Sequence, residues 1–305
     1  MEKKKILFIY NPKAGKAKIR SNLLDIIDIF TKAGYEVTAY PTQARGDGIR
    51  AVKERKLGHY DMIACSGGDG TLDEVVTGMM QCDKRLPIGY VPAGSTNDFA
   101  KSLQIPRNMI EAAQTIVDGK NFGCDIGTFN EDIFVYVAAF GVFTEVTYET
   151  SQDMKNALGH MAYLLEGMRS LTAIKSYKMQ IDCMQLKTEG EFLLGMVTNS
   201  LSVGGFKNIT GKNVEMDDGE FEVTLVRKPS NVAQLNQLAT ALVNRNISND
   251  CIYSFKTSSM KITFEEEVPW TLDGEFGGKH REVFIENCKQ AIQIKVPDRA
   301  ELTVF

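Results

Sequence analysis

The sequence predicts a two-domain α/β protein, a doubly wound parallel α/β domain followed by an antiparallel β-sandwich. Three observations predict it. Strand and helix signals alternate over the first 120 residues, the pattern of a parallel sheet with helices on both faces. After about residue 125, strand-like runs succeed one another with few helices between them, as in an antiparallel sandwich. A length of 305 residues suits two domains better than one core.

The elements follow in order. Lys5 to Tyr10 is an apolar run ended by Asn11-Pro12. Leu23, Leu24, Ile26, Ile27 and Phe30 form a helix face, closed by Gly34. Tyr35 to Tyr40 reads as a second strand and Asp47 to Lys56 as a polar helix. Asp61 to Cys65 is a third strand, Leu72 to Met80 a helix, and Leu86 to Val91 a fourth strand stopped by Pro92. Helices are expected at Asp98 to Leu103 and Met109 to Val117.

In the second part, strands are expected at Ile133 to Phe140, Tyr177 to Cys183, Phe192 to Thr198, Phe221 to Val226, Met260 to Phe264 and Ala291 to Val296. Two helices interrupt them, Asp153 to about Ile174, and Ser230, as N-cap, to Val243. No repeat or low-complexity linker occurs. The boundary near Cys124-Asp125 is therefore tight, and a rigid cleft is expected between the domains.

Composition narrows the class. A hydrophobic fraction of 43% and a charged fraction of 24% are ordinary for a folded protein. A formal net charge of -4 argues against a general nucleic-acid binder. Seven basic residues (Lys3, Lys4, Lys5, Lys13, Lys16, Lys18, Arg20) nevertheless stand in residues 1 to 20. Such a patch suits an anionic membrane or phosphates, and a merely solvated surface accounts for it equally well. The six cysteines are scattered, with no Cys-x-x-Cys pair, so neither a zinc site nor a disulfide framework is expected. Reduced thiols, no signal peptide and no apolar stretch of the ~18 residues a membrane span needs point to a cytoplasmic protein.

The sharpest motif is Ser66-Gly67-Gly68-Asp69-Gly70-Thr71, between an apolar strand and a helix. A helix start offers free N–H groups and the positive end of a dipole, which suit a phosphate. Glycines let a ligand approach the backbone closely. A carboxylate would repel phosphate, so Asp69 points to Mg²⁺ or to proton handling. Two more loops leave strand ends of the same sheet, Asn11-Pro12-Lys13-Ala14-Gly15-Lys16 and Pro92-Ala93-Gly94-Ser95-Thr96-Asn97-Asp98. Loops at those ends converge on one crevice. Neither a Walker A motif nor a G-x-G-x-x-G motif is present. Together the three loops indicate a nucleotide site.

These motifs resemble the diacylglycerol kinase catalytic-domain family, which includes sphingosine and ceramide kinases. The marks are Asn11-Pro12 with Gly15, Gly67 to Thr71, Pro92-x-Gly94-x-x-Asn97-Asp98, Asp125-Ile126-Gly127, Asp217-Asp218-Gly219 and Asp273-Gly274-Glu275. The stretch Asp273 to Lys279 particularly resembles soluble bacterial diacylglycerol kinases. The resemblance implies an ATP-binding α/β domain over residues 1 to 125, with residues from about 292 to 305 returning to it. It implies a lipid-substrate β-sandwich over 126 to 291 and an active site in the cleft between.

The resemblance also implies site residues. Asn11, Pro12, Lys13, Ala14, Gly15, Thr42, Gly67, Gly68, Asp69, Gly70, Thr71 and Leu72 match ATP-binding positions, and Ser95 stands where the family usually has threonine. Glu275 matches the proton acceptor and, like Asp69, is a candidate catalytic residue that also faces the nucleotide. Asp218 matches the side-chain ligand of a Mg²⁺ in the second domain, with Glu215 and Glu220 at positions that ligate through backbone oxygen. The expected reaction is transfer of the γ-phosphoryl of ATP to a lipid hydroxyl, with ATP and Mg²⁺ as cofactors. The expected partners are a lipid at a membrane surface and a second copy of the chain in a homodimer, with no nucleic acid.

Alternatives stay open from the residues alone. An NAD kinase also carries a Gly-Gly-Asp-Gly loop, other lipids fit the same motifs, and a non-catalytic binding protein would keep the fold. Asp273-Gly274 and Asp218-Gly219 are also strong hairpin-turn signals. Met154, Leu158, Met161, Leu165 and Met168 fall at helical spacing, more as core than as an acyl pocket.

Overall fold

Four apolar runs become parallel strands: β1 (Lys4–Tyr10), β2 (Tyr35–Pro41), β3 (Met62–Gly67) and β4 (Ile88–Pro92). β3 and β4 are buried along their whole length, as expected where helices cover both faces of a parallel sheet. The computed structural model describes residues 3–55, 57–141, 175–203, 206–207, 214–243 and 249–298. The chain divides into two units, Met1–Ile126 together with Lys289–Val304, and Gly127–Cys288.

The helices of the first unit are α1 (Ala14–Ala17), α2 (Ile19–Lys32), α3 (Asp47–Lys53), α4 (Asp69–Met80), α5 (Asp98–Ser102) and α6 (Met109–Asp118). The strand order is β2-β1-β3-β4. The chain steps from β1 to β2 in one direction, then back past β1 to β3 and on to β4. Right-handed crossovers then place α2 on one face of the sheet and α3 and α4 on the other. The packing agrees, since α2 lies against α6 and α3 against α4.

The second unit is antiparallel. Its strands are β5 (Lys120–Phe129, which begins in the first unit), β6 (Asp132–Phe134), β7 (Val137–Gly141), β8 (Tyr177–Asp182), β9 (Lys187–Thr198), β10 (Ser202–Val203), β11 (Phe206–Lys207), β12 (Phe221–Arg227), β13 (Ile252–Thr257), β14 (Ser259–Leu272) and β15 (Glu275–Val296). One helix, α7 (Val232–Val243), is also described. β9 and β14 are long enough to pair with β7 at one end and with β8 at the other. Trp270 of β14 is fully buried, 4.9 Å from the rings of Phe129 and Phe140. β15 ends back in the first unit, where Ile294 pairs in parallel with Ile88 of β4.

Several local expectations are corrected. The run Ile133 to Phe140 is two strands, because the N–H groups of Val135, Tyr136 and Val137 bond the Asp273 carboxylate. The helix after Ser230 is capped one residue later. Asn231 Oδ1 accepts the Gln234 N–H at 2.9 Å, as an N-cap side chain does, while Gln234 Oε1 accepts Ser230 N, one residue before the cap, at 2.9 Å. The loop after β1 contains the single turn α1. Residues 153–174, with the methionine stripe, lie outside the described residues. No helix among the described residues is long and apolar enough to cross a membrane.

Candidate active site

Strand order reverses between β1 and β3, so the loops at their carboxyl ends diverge and leave a crevice, the usual ligand position in such sheets. The loop after β1 begins where Asn11 N donates to Ser66 O at 2.9 Å. Asn11 Oδ1 then accepts Lys13 N at 2.9 Å, turning the chain. Thr42, just past β2, is tied to the end of β1 by its N–H on Tyr10 O at 2.9 Å. The loop after β4 begins where Ala93 N donates to Gly67 O at 2.7 Å.

The three loops touch, and glycine permits it. Gly15 has φ +54°, and a Cβ there would lie 1.8 Å from Ala93 O. A Cβ on Gly94 would lie 2.7 Å from Gly68 Cα. Asn97 fixes the last loop, with Oδ1 accepting Gly94 N at 2.8 Å and Nδ2 donating to Gly94 O at 2.9 Å. Its left-handed φ of 51° is a conformation asparagine tolerates. Buried Tyr90 supports the cradle from beneath, donating to Gly67 O at 3.1 Å. Burial, and then the nearby Asp69 charge, push its hydroxyl pKa well up, so it stays a donor.

Asp69 opens α4, with Gly68 at the N-cap and no side-chain cap. Thr71 N and Leu72 N of its first turn donate to Gly68 O at 3.0 and 3.3 Å, which leaves the N–H groups of Asp69 and Gly70 at the helix start facing the cradle. Asp69 Oδ2 accepts long bonds from Thr96 Oγ1 at 3.3 Å and Asp98 N at 3.4 Å, and the Phe99 N–H also favours the charged carboxylate. Asp69 Oδ1 is buried with no hydrogen-bond partner. Burial first, and then the Asp98 carboxylate, raise the Asp69 pKa above the ordinary range. A carboxylate with a raised pKa and an unused oxygen at a helix start makes Asp69 the candidate functional carboxylate of this loop. Gly70, Thr71 and Leu72 continue this turn, and Ser95 is exposed in the neighbouring loop.

Glu275 belongs to the second unit. It is the first residue of β15 and is exposed. Asp273 (φ 52°) and Gly274 (φ 85°) form the two-residue turn between Leu272 and Glu275, which pair across the hairpin. Two successive positive φ values define the hairpin turn favoured by Asp-Gly. Asp273 latches that turn. Its carboxylate accepts Val135 N at 2.6 Å, Tyr136 N at 2.9 Å and Val137 N at 3.0 Å.

Asp218 lies in the same unit. Its Oδ1 accepts Glu220 N at 2.9 Å, and its Oδ2 accepts Lys256 Nζ at 2.6 Å. Lys256 Nζ also lies 3.4 Å from Glu222 Oε1. Burial lowers the Lys256 pKa, but the two carboxylates more than reverse this, and the net shift is upward. Burial pushes the Glu222 carboxyl up to about 8 against the pull of Lys256. Glu215 and Glu220 are half-buried. No cluster of three acidic, histidine or cysteine side chains suited to a metal occurs among the described residues. The arrangement does not fit a divalent ion at Asp218, because an ammonium already bonds the oxygen such an ion would take.

Comparison with known proteins shows the family. Residues 5–129 match the model of the diacylglycerol kinase catalytic domain. Residues 137–295 match the YegS C-terminal NAD kinase beta sandwich-like domain. The chain is 35% identical to a diacylglycerol kinase of Bacillus subtilis (strain 168), over 98% of both chains. The chain belongs to the diacylglycerol kinase family. A diacylglycerol kinase of Staphylococcus carnosus (strain TM300) is also 35% identical, over 97% of this chain and 96% of its own. A crystal structure of a candidate diacylglycerol kinase from Bacillus anthracis strain Sterne aligns with a TM-score of 0.81 at 26% identity, over 100% of this chain and 98% of its own.

Family membership makes the chain an enzyme of the kinase class. Residues outside the sequence-predicted set also shape the candidate site of this diacylglycerol kinase family member. Thr96, next to Ser95, contacts Asp69. Glu74 of α4 accepts Gly46 N at 2.6 Å and Gly48 N at 2.8 Å, holding the start of α3. Asp47 accepts Gln43 N at 2.6 Å and Ala44 N at 2.8 Å, which orders the segment after Thr42. Spacing carries a signal only for Thr96, which lies inside a motif already singled out.

Proposed function

We propose that the enzyme transfers the γ-phosphoryl group of ATP to a lipid hydroxyl, with diacylglycerol as acceptor and phosphatidic acid as product. The observation that carries this reading is the buried, unbonded Asp69 Oδ1 beside a cradle where Gly15, Gly67 and Gly94 leave no room for a Cβ. Binding phosphate needs N–H donors, and an anion beside them serves the transfer itself. The residues therefore fit the phosphates of ATP, and a Mg²⁺ carried in with that substrate would supply charge neutralisation there.

The reaction balances simply. The acceptor hydroxyl gives its proton to a carboxylate, its oxygen bonds the γ-phosphorus, and ADP leaves. Asp69 and Glu275 are the two carboxylates that suit the proton. A raised pKa brings Asp69 nearer the range of an effective base. The cradle contributes alignment and charge cover, the larger part of catalysis in this reaction class. The names of the Bacillus and Staphylococcus relatives support diacylglycerol as acceptor. A lipid acceptor requires work at a membrane surface, and exposed Lys3, Lys4, Lys13, Lys18 and Arg20 suit anionic headgroups.

The test is to incubate the enzyme with γ-labelled ATP, Mg²⁺ and separate acceptors: diacylglycerol, a sphingoid base, ceramide, phosphatidylglycerol and NAD. Label in phosphatidic acid is expected. Label in another lipid would keep a lipid kinase but overturn the acceptor. Label in NAD alone, or in nothing, would overturn the reading.

A further inference from the structure

We propose that Lys256 serves as a built-in cation for the 215–220 turn, taking the place of a divalent metal ion, so that the second unit folds and holds without one. The inference concerns the second unit alone and stands whatever acceptor the enzyme uses.

The geometry begins with strand register. β12 and β13 pair antiparallel with Glu222 directly opposite Lys256, the arrangement in which opposite charges interact best across a sheet. Glu222 is only 3% exposed. Burial favours the neutral form of Glu222, and the facing ammonium of Lys256 is the cation that favours its charged form. Its two oxygens have no hydrogen-bond donor, and the Lys256 ammonium at 3.4 Å is its ion-pair partner. The same ammonium extends to Asp218 Oδ2 at 2.6 Å.

Asp218 is the hinge of the argument. One oxygen closes the turn by accepting Glu220 N, and the other is bonded by Lys256. A Mg²⁺ ligated by that second oxygen would sit about 2.1 Å from it. It would then lie beside an ammonium that already bonds the same atom, and two cations so close repel strongly where water is scarce. Lysine has three N–H donors and can satisfy two carboxylates at once. One fixed positive charge thus ties the turn before β12 to the strand pair beyond it.

The test follows the thermal transition of the full chain, without nucleotide, with EDTA and with millimolar MgCl₂ or MnCl₂. The parent's transition is expected to be unmoved by chelator or by metal. Lys256→Ala is expected to melt lower by about 5 °C or more, since it strands the Asp218 carboxylate in the turn and leaves Glu222 buried without its facing charge. Added Mn²⁺ should then recover part of that loss, and Asp218→Asn in the same background should abolish the recovery. Lys256→Arg keeps the charge and should remain indifferent to chelator, which preserves the test if Lys256→Ala does not fold. A parent transition that falls on chelation would overturn the proposal. So would a Lys256→Ala chain that melts like the parent.

Discussion

Asp273→Ala removes the carboxylate that holds the hairpin presenting Glu275. Three N–H groups lose their acceptor, those of Val135, Tyr136 and Val137 at 2.6, 2.9 and 3.0 Å. Asp273 itself is buried, at 7% exposure. Stranding a buried donor costs roughly 1–2 kcal/mol here, so the loss is about 3–6 kcal/mol. That is a large share of the ~5–15 kcal/mol that stabilises a typical domain. It corresponds to a melting-temperature drop on the order of 6–20 °C for a unit of this size. Asp273→Asn should be milder. Its remaining oxygen can still accept from two N–H groups, and asparagine tolerates the positive φ. A loss of about 1–3 kcal/mol is expected, because one donor then faces another donor. The chain has a single tryptophan, and Trp270 is fully buried in the second unit. Its fluorescence therefore reports unfolding of that unit directly. If Asp273→Ala melts as the parent does, the latch is wrong. If Asp273→Asn keeps its stability but loses activity 100-fold or more (~2.7 kcal/mol of barrier), Asp273 acts in the chemistry instead.

Two other outcomes are expected together. Gly15→Ala places a Cβ 1.8 Å from Ala93 O at φ +54°, forcing the β1 and β4 loops apart. ATP affinity, read by isothermal titration, should fall at least ~10-fold, about 1.4 kcal/mol, with only a small change in melting temperature. Asp47 titrates below its ordinary range because it accepts Gln43 N and Ala44 N and is paired with Arg50. A depressed folded pKa gives stability that is present above about pH 4 and is lost as pH falls through the folded value. The acid arm of a melting-temperature profile should therefore be shallower in Asp47→Asn than in the parent.

The legible parts of this molecule were local. Continuous apolar runs mark β1, β3 and β4, because a strand buried on both faces leaves no polar alternation to confuse it. Gly67-Gly68-Asp69 stood out because a strand-to-helix turn with glycines is recognisable from neighbours alone. β15 was legible only at its end. Its earlier stretch carries Gly277, Gly278, Lys279, Arg281 and Glu282, and half its face is exposed, so neither period nor hydrophobicity flags it. The break at Val135 and Tyr136 was hidden because its cause, Asp273, lies 137 or more residues away. Lys256 beside Asp218 was hidden for a similar reason. Their meeting depends on the register of β12 against β13, which spacing does not reveal. Asp273-Gly274 carried two true signals at once, a hairpin turn and a family mark, since the turn is what sets Glu275 at the start of its strand.

The central claim is that Asp69 is a working carboxylate at the phosphate cradle. It is tested by the turnover of Asp69→Asn with γ-labelled ATP, Mg²⁺ and diacylglycerol, beside its ATP affinity and melting curve. Asparagine keeps the size of the side chain and removes the charge. Turnover should fall at least ~100-fold, about 2.7 kcal/mol of barrier, while the melting temperature stays level or rises. A rise is allowed because the buried charge, with its raised pKa, destabilises the fold near neutral pH. Turnover within a few-fold of the parent would contradict the account.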